Sequence, residues 1–176
     1  HLSAVDESTL GDALSADVFV VFGSSYIKGW LLDYLIERNA LNLHAGLSPY
    51  YRGTASNFWA LYDRNPNFVG ATIHKLSEGI DEGDILFHCI PKLMTGATAF
   101  NFTMRSVFFA QKNLVQKVID GSICALEPIA QDTSKEIRYS ISRQFTSDIA
   151  FEFLSRPDYF VEKKFLYPKL INPVFE

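Results

Sequence analysis

Cysteine is scarce in this chain. Its two thiols, Cys89 and Cys124, sit far apart in separate apolar runs, which excludes the disulfide framework that small secreted domains rely on and reads as reduced, buried thiols. No apolar run approaches the ~20 residues a membrane-spanning helix needs, and no signal peptide opens the sequence, so the expected location is the cytoplasm with no membrane partner. Basic charge is not concentrated anywhere. The 16 Lys and Arg are scattered against 20 Asp and Glu, for a formal net charge of -4, so the electrostatic footprint of a nucleic-acid partner is missing. His44, His74 and His88 lack the short, paired spacing of zinc ligands, and no metal is expected. Repeats and low-complexity tracts are absent, and 48% apolar with 20% charged residues is the composition of an ordinary soluble globular protein.

What is present is enough for one domain and a tail, since 176 residues bury one sizeable core but not two. Asp6 to Ala13 reads as a short helix. Asp17 to Phe22 is a continuous apolar run stopped by Gly23-Ser24-Ser25, as expected of a strand buried on both faces. Lys28 to Arg38 carries Trp30, Leu31, Tyr34 and Leu35 at helical spacing, and a second strand, Ala40 to His44, follows at once. Strand, helix, strand implies a right-handed crossover between parallel neighbours. A helix opening at Thr54 has Phe58, Trp59, Leu61 and Tyr62 on its apolar side and breaks at Asn65-Pro66-Asn67. Phe68 to Leu76 and Asp84 to Lys92 read as strands. Thr98 caps a long helix, with Phe100, Met104, Val107, Phe108, Leu114 or Val115, and Val118 as its apolar positions, and Gly121 ends it. Ile123 to Ala130 reads as a further strand, Ile137 to Ser140 as a short strand and Thr146 to Ser155 as a short helix. From Arg156 to Glu176 no period survives, and this stretch is expected to pack on the core or on a neighbouring subunit of a homodimer. The class is α/β with a mostly parallel sheet.

Two segments carry chemistry. In Asn42-Leu43-His44-Ala45-Gly46-Leu47-Ser48-Pro49-Tyr50-Tyr51-Arg52-Gly53, Asn42 and His44 stand two apart at the end of a strand and so share a face. One is an amide, the other an imidazole whose ordinary pKa is about 6.5. In Glu78-Gly79-Ile80-Asp81-Glu82-Gly83-Asp84, Asp81 occupies a Gly-punctuated turn from which it could fold back on His44, although Asp is also enriched in turns for its own backbone hydrogen bonds. Glu82 and Asp84 read as solvated loop carboxylates, and His74 and His88 as structural. The loop Gly23 to Ile27, beyond the carboxyl end of a strand, is where open α/β sheets bind ligands. Arg52 is either a bidentate anion clamp or a pin for its own loop.

Over residues 15 to 125 these segments resemble the formyltetrahydrofolate-dependent formyltransferases, whose signature is Asn-x-His-x-Ser-Leu-Leu-Pro followed by an Asp in a Gly-rich loop. Arg52-Gly53 and Gly70-Ala71-Thr72-Ile73-His74 are further landmarks. Gly46 departs from the usual Ser, and Ser48 from the usual Leu. The resemblance implies Asn42, His44 and Asp81 as the catalytic trio. It implies a folate-binding set of Ser24, Ser25, Tyr26, Ile27, Gly79 and Ile80, with Ser24 alternatively only a helix cap, and an acceptor-binding set of Tyr50, Tyr51 and Arg52. It implies formyl-tetrahydrofolate as co-substrate, a Rossmann-like fold, and a catalytic domain over 1–130 whose customary first βαβ unit is missing, followed by an extension over 131–176.

In that reading an amine attacks the formyl carbon, and Asn42 and His44 donate to the oxyanion. Asp81 orients His44, raises its pKa, and takes the amine's proton directly or through water. Tyr50-Tyr51-Arg52-Gly53 and Asn57-Phe58-Trp59 look most like the branch acting on nucleotide-linked amino sugars. Glycinamide ribonucleotide stays open as acceptor, and the lack of a basic C-terminal domain weighs against methionyl-tRNA. The alternatives are hydrolysis of formyl-tetrahydrofolate on the same trio, and a non-catalytic folate-binding or oligomerisation module.

Overall fold

The computed structural model describes residues 2–156 and 166–176. The middle of the expected tail, 157–165, therefore lies outside the described residues. Strands β1 (Val20–Val21), β2 (Leu41–His44), β4 (Ala71–Lys75), β5 (Ile85–Ile90) and β7 (Val174–Phe175) form one five-stranded sheet in the order β1-β2-β4-β5-β7. The class is α/β as expected. After a short helix α1 (Glu7–Leu10), β1 and β2 are parallel neighbours joined through helix α2 (Trp30–Glu37), and β5 and β7 are also parallel, while β2–β4 and β4–β5 run antiparallel. A separate pair, β3 (Tyr51–Gly53) with β6 (Arg138–Ser140), is parallel. Among the described residues no helix is long and apolar enough to cross a membrane.

The core falls into three clusters. In one the long helix α4 (Ala99–Ile119) sets Ala110 and Leu114 against Leu41, Leu43, Ala71, Ile73, Leu86, Phe87 and Cys89. In a second, α3 (Ser56–Tyr62) packs Trp59, Ala60 and Leu61 with Leu47, Tyr50, Tyr51, Val69 and the Phe102 of α4, and α2 closes a third around Ile27, Leu31, Leu32, Leu35 and Ala40. Every residue of β5 is buried, in line with a sequence in which neither strand face is polar.

Four expectations need correction. The run 17–22 pairs only at Val20 and Val21, and Val18, Val20 and Phe22 are exposed. β1 is an edge strand whose alternate residues Phe19 and Val21 pack toward α2, so period two leaves the others facing solvent. The buried side of α4 is Phe102, Ser106, Val107, Ala110 and Leu114. Of the expected stripe, Val107 and Leu114 are buried but Phe100, Met104 and Phe108 face outward, because the small Ala110 lets the helix lie close to the sheet and the small Ser106 lets it meet Asn57 of α3. Ile123 to Ala130 is not a strand. Ser122–Ala125 is a 3-10 turn, and only Ile129 bridges, to Ile85. Gly121 turns the chain at φ +74°, and Pro128, without an N–H, cannot extend a ladder. Cys124 in that turn is exposed, whereas Cys89 is buried.

The end of the chain docks along β5. The Ile171 N–H donates to His88 Nδ1 at 2.9 Å, the His88 N–H donates to Ile171 O at 3.0 Å, and Asn172 Nδ2 donates to Leu86 O at 2.8 Å. His88 Nε2 donates to Ser48 O at 3.0 Å. A ring that accepts at one nitrogen and donates at the other must be neutral. Burial accordingly pushes the His88 pKa down to about 4, outweighing the pull of the Ser48 carbonyl.

The unfolded chain takes up this proton at its ordinary pKa of 6.5 while the folded chain refuses it until about 4, so stability must fall as pH drops through that window. Urea unfolding of the wild type between these limits is expected to lose about 3 kcal/mol from this site, at ~1.4 kcal/mol per pKa unit. In His88→Gln the same measurement should show a shallower slope, and equal slopes would refute the assignment.

Candidate active site

The antiparallel register of β2 on β4 sets Asn42 opposite His74 and His44 opposite Thr72. Thr72 ties down the loop after β2, its Oγ1 donating to Gly46 O at 2.6 Å and accepting from the Ser48 N–H at 3.0 Å. Gly46 lies against the imidazole. A Cβ there would sit 2.5 Å from His44 Nε2 and 2.5 Å from Ser56 Cβ, so in this packing the departure from Ser makes room for His44.

Asp81 arrives from the loop between β4 and β5, at φ +55°, a left-handed conformation that Asp tolerates better than most side chains. Its Oδ2 is 3.1 Å from His44 Nδ1 and accepts the Gly53 N–H at 3.0 Å. Its Oδ1 accepts from Asn42 Nδ2 at 3.1 Å and lies 3.7 Å from His74 Nε2. The three residues of the expected trio thus converge. Burial alone would raise the Asp81 pKa, but the His44 charge and the hydrogen bond from His44 hold it far below the usual carboxylate range. His44 Nε2 is 2.9 Å from Tyr51 O. Both partners of the ring are acceptors, so both nitrogens carry protons. Burial pulls the His44 pKa down and the Arg52 charge opposes protonation, yet the Asp81 charge and the hydrogen bonds to Asp81 and Tyr51 O prevail and raise it.

Two expected roles change with this geometry. Asn42 Nδ2 donates to Asp81 and also lies 2.9 Å from His74 Nε2. Because His74 Nδ1 donates to Lys75 O at 2.7 Å, Nε2 is the acceptor and both Asn42 hydrogens are engaged. His44 likewise has both N–H groups engaged. Neither is therefore an unoccupied oxyanion donor in this structure, because the Asp81 carboxylate, the Tyr51 carbonyl and the His74 Nε2 acceptor have claimed them. Nor is Asp81 a ready base, given how strongly its ionised form is held.

These groups face a cavity of about 550 Å³ whose lining includes Ser24, Ser25, Tyr26, Ile27, Gly79 and Ile80, so the expected folate set meets the trio in one space. The Tyr26 hydroxyl donates to Glu78 O at 2.7 Å, joining the two loops. The expected acceptor set does not reach it. Tyr51 is wholly buried, its hydroxyl between Asp63 and Asn65, and its pKa is pushed up to about 12 chiefly by burial. The Tyr50 hydroxyl donates to Lys169 O at 2.9 Å. Arg52 is buried, with Nη2 at 2.6 Å from Glu136 Oε2 and Nη1 at 3.0 Å from Glu82 Oε1. The guanidinium pins chain segments together, though through two carboxylates rather than carbonyls, and these neutralise the charge a phosphate would need. Glu82 pairs with Arg52 while its side chain stays half exposed, and Asp84 is exposed too, as expected of loop carboxylates.

Sequence reasoning missed several residues. His74 was within reach of it: had β4 been paired antiparallel to β2, period two would have put His74 on the face of Asn42. Tyr139 and Ser140, in the three-residue strand β6, and Ile141 and Ser142 just after it complete the cavity wall; the short strand was expected, but nothing local to it signals a place in the site.

The sequence model of a family described as formyl transferase matches residues 4–118. A methionyl-tRNA formyltransferase of Anaeromyxobacter dehalogenans is 31% identical over 134 residues, which is 74% of this chain and 43% of that protein. One from Acidobacterium capsulatum is 38% identical over 93 residues, 51% of this chain and 29% of that protein. The chain thus spans less than half the length of these curated relatives. Among solved structures, a formyltransferase from Anoxybacillus kamchatkensis in complex with UDP-4,6-dideoxy-4-formamido-L-AltNAc and tetrahydrofolate superposes with a TM-score of 0.67 at 20% identity, over 90% of this chain and 80% of that one. A 4-N formyltransferase from Francisella tularensis gives 0.62 at 20% identity, over 88% and 69%. The fold is therefore the Rossmann-like α/β fold of these neighbours.

The ion pair makes a checkable statement. In an NMR titration the His44 imidazole of the wild type should have its midpoint above 6.5, the ordinary value. In Asp81→Asn the opposing charge is gone while burial remains, and the midpoint should fall below 6.5. An unmoved midpoint would mean that Asp81 does not govern His44.

Proposed function

This chain belongs to the formyl transferase family, and on that premise we propose that it moves the formyl group of formyl-tetrahydrofolate to a primary amine. The observation that carries this reading is the meeting on one cavity of Asn42 and His44, each 3.1 Å from a different carboxylate oxygen of Asp81. The amine nitrogen attacks the formyl carbon, a C–N bond forms, and the carbonyl oxygen becomes an oxyanion. Collapse breaks the bond to the folate nitrogen, which leaves as tetrahydrofolate with a proton, while the amine loses one. His44 contributes a fixed positive charge beside the developing oxyanion. Asp81 keeps that charge in place. Asn42 has its Oδ1 without a partner among the described residues, so it suits an N–H of the incoming amine. Ser24 to Ile27 with Gly79 and Ile80 form the folate wall, and folate is the co-substrate.

The acceptor is a nucleotide-linked amino sugar. Supporting this is a net charge of -4 with scattered basic residues, because a tRNA presents a polyanion that calls for a broad basic surface. A second acceptor, methionyl-tRNA, is favoured by the names of the curated relatives.

Tetrahydrofolate release from formyl-tetrahydrofolate should depend on an amine and should be stimulated by a nucleotide-linked amino sugar more than by methionyl-tRNA. His44→Ala should lower release by about 100-fold or more, the scale of losing one oxyanion-stabilising group, with the apparent affinity for folate little changed. Release independent of any amine would replace transfer by hydrolysis, and folate binding without release would leave a binding module.

A further inference from the structure

Gln131 lies beyond the residues matched by the family, 4–118, and outside the trio. Just before it, Ile129 exchanges two backbone hydrogen bonds with Ile85, at 2.8 and 2.9 Å. That bridge fastens the chain beside the start of β5, directly after the Asp81 loop. Two residues on, Gln131 Nε2 donates to Asp81 O at 2.8 Å and to Gly83 O at 2.7 Å. Both amide hydrogens are used on the loop, and Oε1 is left buried with no hydrogen-bond partner. The amide orientation is therefore set by the loop. Turned over, an oxygen would face two carbonyl oxygens.

The loop needs such a hold. Asp81 stands at φ +55°, which L residues avoid. At Gly83 the backbone runs so close to β4 that a Cβ would lie 1.7 Å from Lys75 O. Gln131 clasps the backbone on both sides of the turn whose side chain makes the ion pair, and no other side chain among the described residues hydrogen-bonds to the carbonyl of Asp81.

We propose that Gln131 is a positioning residue for the transfer reaction, its amide holding the Asp81 backbone so that the carboxylate stays on His44 and Asn42. The inference rests on the formyl-transfer reading for its kinetic part and on geometry alone for its structural part. The titratable and charged groups around His44 are Asp81, Arg52 with its partners Glu82 and Glu136, and His74, which shares Asp81 and Asn42 with it. Of these, Asp81 and Glu82 sit on the clasped loop, and Asp81 alone of the two contacts the ring, so the His44 titration reports chiefly on where the clasp holds Asp81.

The test compares wild type, Gln131→Ala and Gln131→Glu by NMR titration of His44 and by steady-state kinetics. In folded Gln131→Ala the His44 midpoint should move down by about half a pH unit or more, since a group's pKa tracks its interaction with a nearby opposite charge. Its kcat should drop about 10-fold or more with KM for formyl-tetrahydrofolate within about twofold, as expected when orientation rather than binding is lost. Gln131→Glu presents oxygens to both carbonyls until it is protonated, so its activity relative to wild type should recover as pH is lowered. Should Gln131→Ala fail to fold, Gln131→Glu carries the same comparison. A merely structural Gln131 would lower the melting temperature and leave the His44 midpoint and the kcat of folded enzyme unchanged, which would overturn the proposal. If the wild type shows no transfer yet the midpoint shifts, the function is wrong and the clasp stands. If transfer is present and neither midpoint nor kcat moves, the clasp is wrong and the function stands.

Discussion

The rest of the site depends on one buried ion pair, Asp81 with His44, at 3.1 Å. Removing one partner of a buried pair typically costs 3–5 kcal/mol, because the survivor is left uncompensated. The surrounding polar groups are arranged to keep both charges satisfied. The Gly53 N–H and Asn42 Nδ2 fill the remaining acceptor positions of Asp81, and Tyr51 O takes the second proton of the imidazolium. A half-satisfied buried network would be worse than an apolar core. Here the buried ring nitrogens of His44 and both carboxylate oxygens of Asp81 have partners, which holds the site in one charge state.

That arrangement draws on much of the chain. β2 supplies Asn42 and His44, β4 supplies His74, the following loop supplies Asp81, and β3 supplies Gly53 N–H and Tyr51 O. The later segment contributes Gln131, the Glu136 that neutralises Arg52, and the cavity wall from Tyr139 to Ser142. β6 lies parallel to β3, with Tyr51 paired to Arg138 and Gly53 to Ser140. The division at residue 130 is therefore best regarded as a proposal about sequence families, since side chains on both sides of it hold the same loop.

The sequence made the trio legible because its chemistry is local. Two residues of a strand end share a face, and a Gly-bounded Asp turn is a recognisable unit. Helices α2, α3 and α4 were legible for a related reason, their apolar spacing being local, and α4 carries its cap beside it in the Thr98 Oγ1 that accepts from the Asn101 N–H, whereas α2 and α3 begin without a side-chain cap. What could not be read depends on pairing across distance. His74 becomes a neighbour of Asn42 only once β4 is known to run against β2. Arg52 looks like a free cation until Glu82 and Glu136 are brought to it, and β7, two residues long, has no period to detect. The α4 stripe was misjudged for a related reason: the helix has apolar residues on two sides, and the small residues Ser106 and Ala110, set against α3 and the sheet, decide which is buried.

The engagement of every donor at the trio looks at first like an obstacle to catalysis, but within the proposed reaction it favours the transition state. A neutral formyl oxygen is a weak acceptor and cannot displace a carboxylate from an N–H, since hydrogen bonds to an ionised partner are roughly twice as strong as neutral ones. An oxyanion carries the same charge as Asp81 and competes with it on equal terms for Asn42, or with the neutral Tyr51 carbonyl for His44, where the charged competitor has the advantage. Interactions that strengthen only as charge develops lower the barrier without stabilising bound substrate, which is the condition for raising kcat. The same logic requires Asp81 to stay where it is, because a carboxylate free to follow the imidazolium would shield it from the oxyanion. A loop held by its backbone at Asp81 and Gly83, and by the ion pair of Arg52 with Glu82, meets that requirement from outside the cavity, leaving the reacting face to substrate.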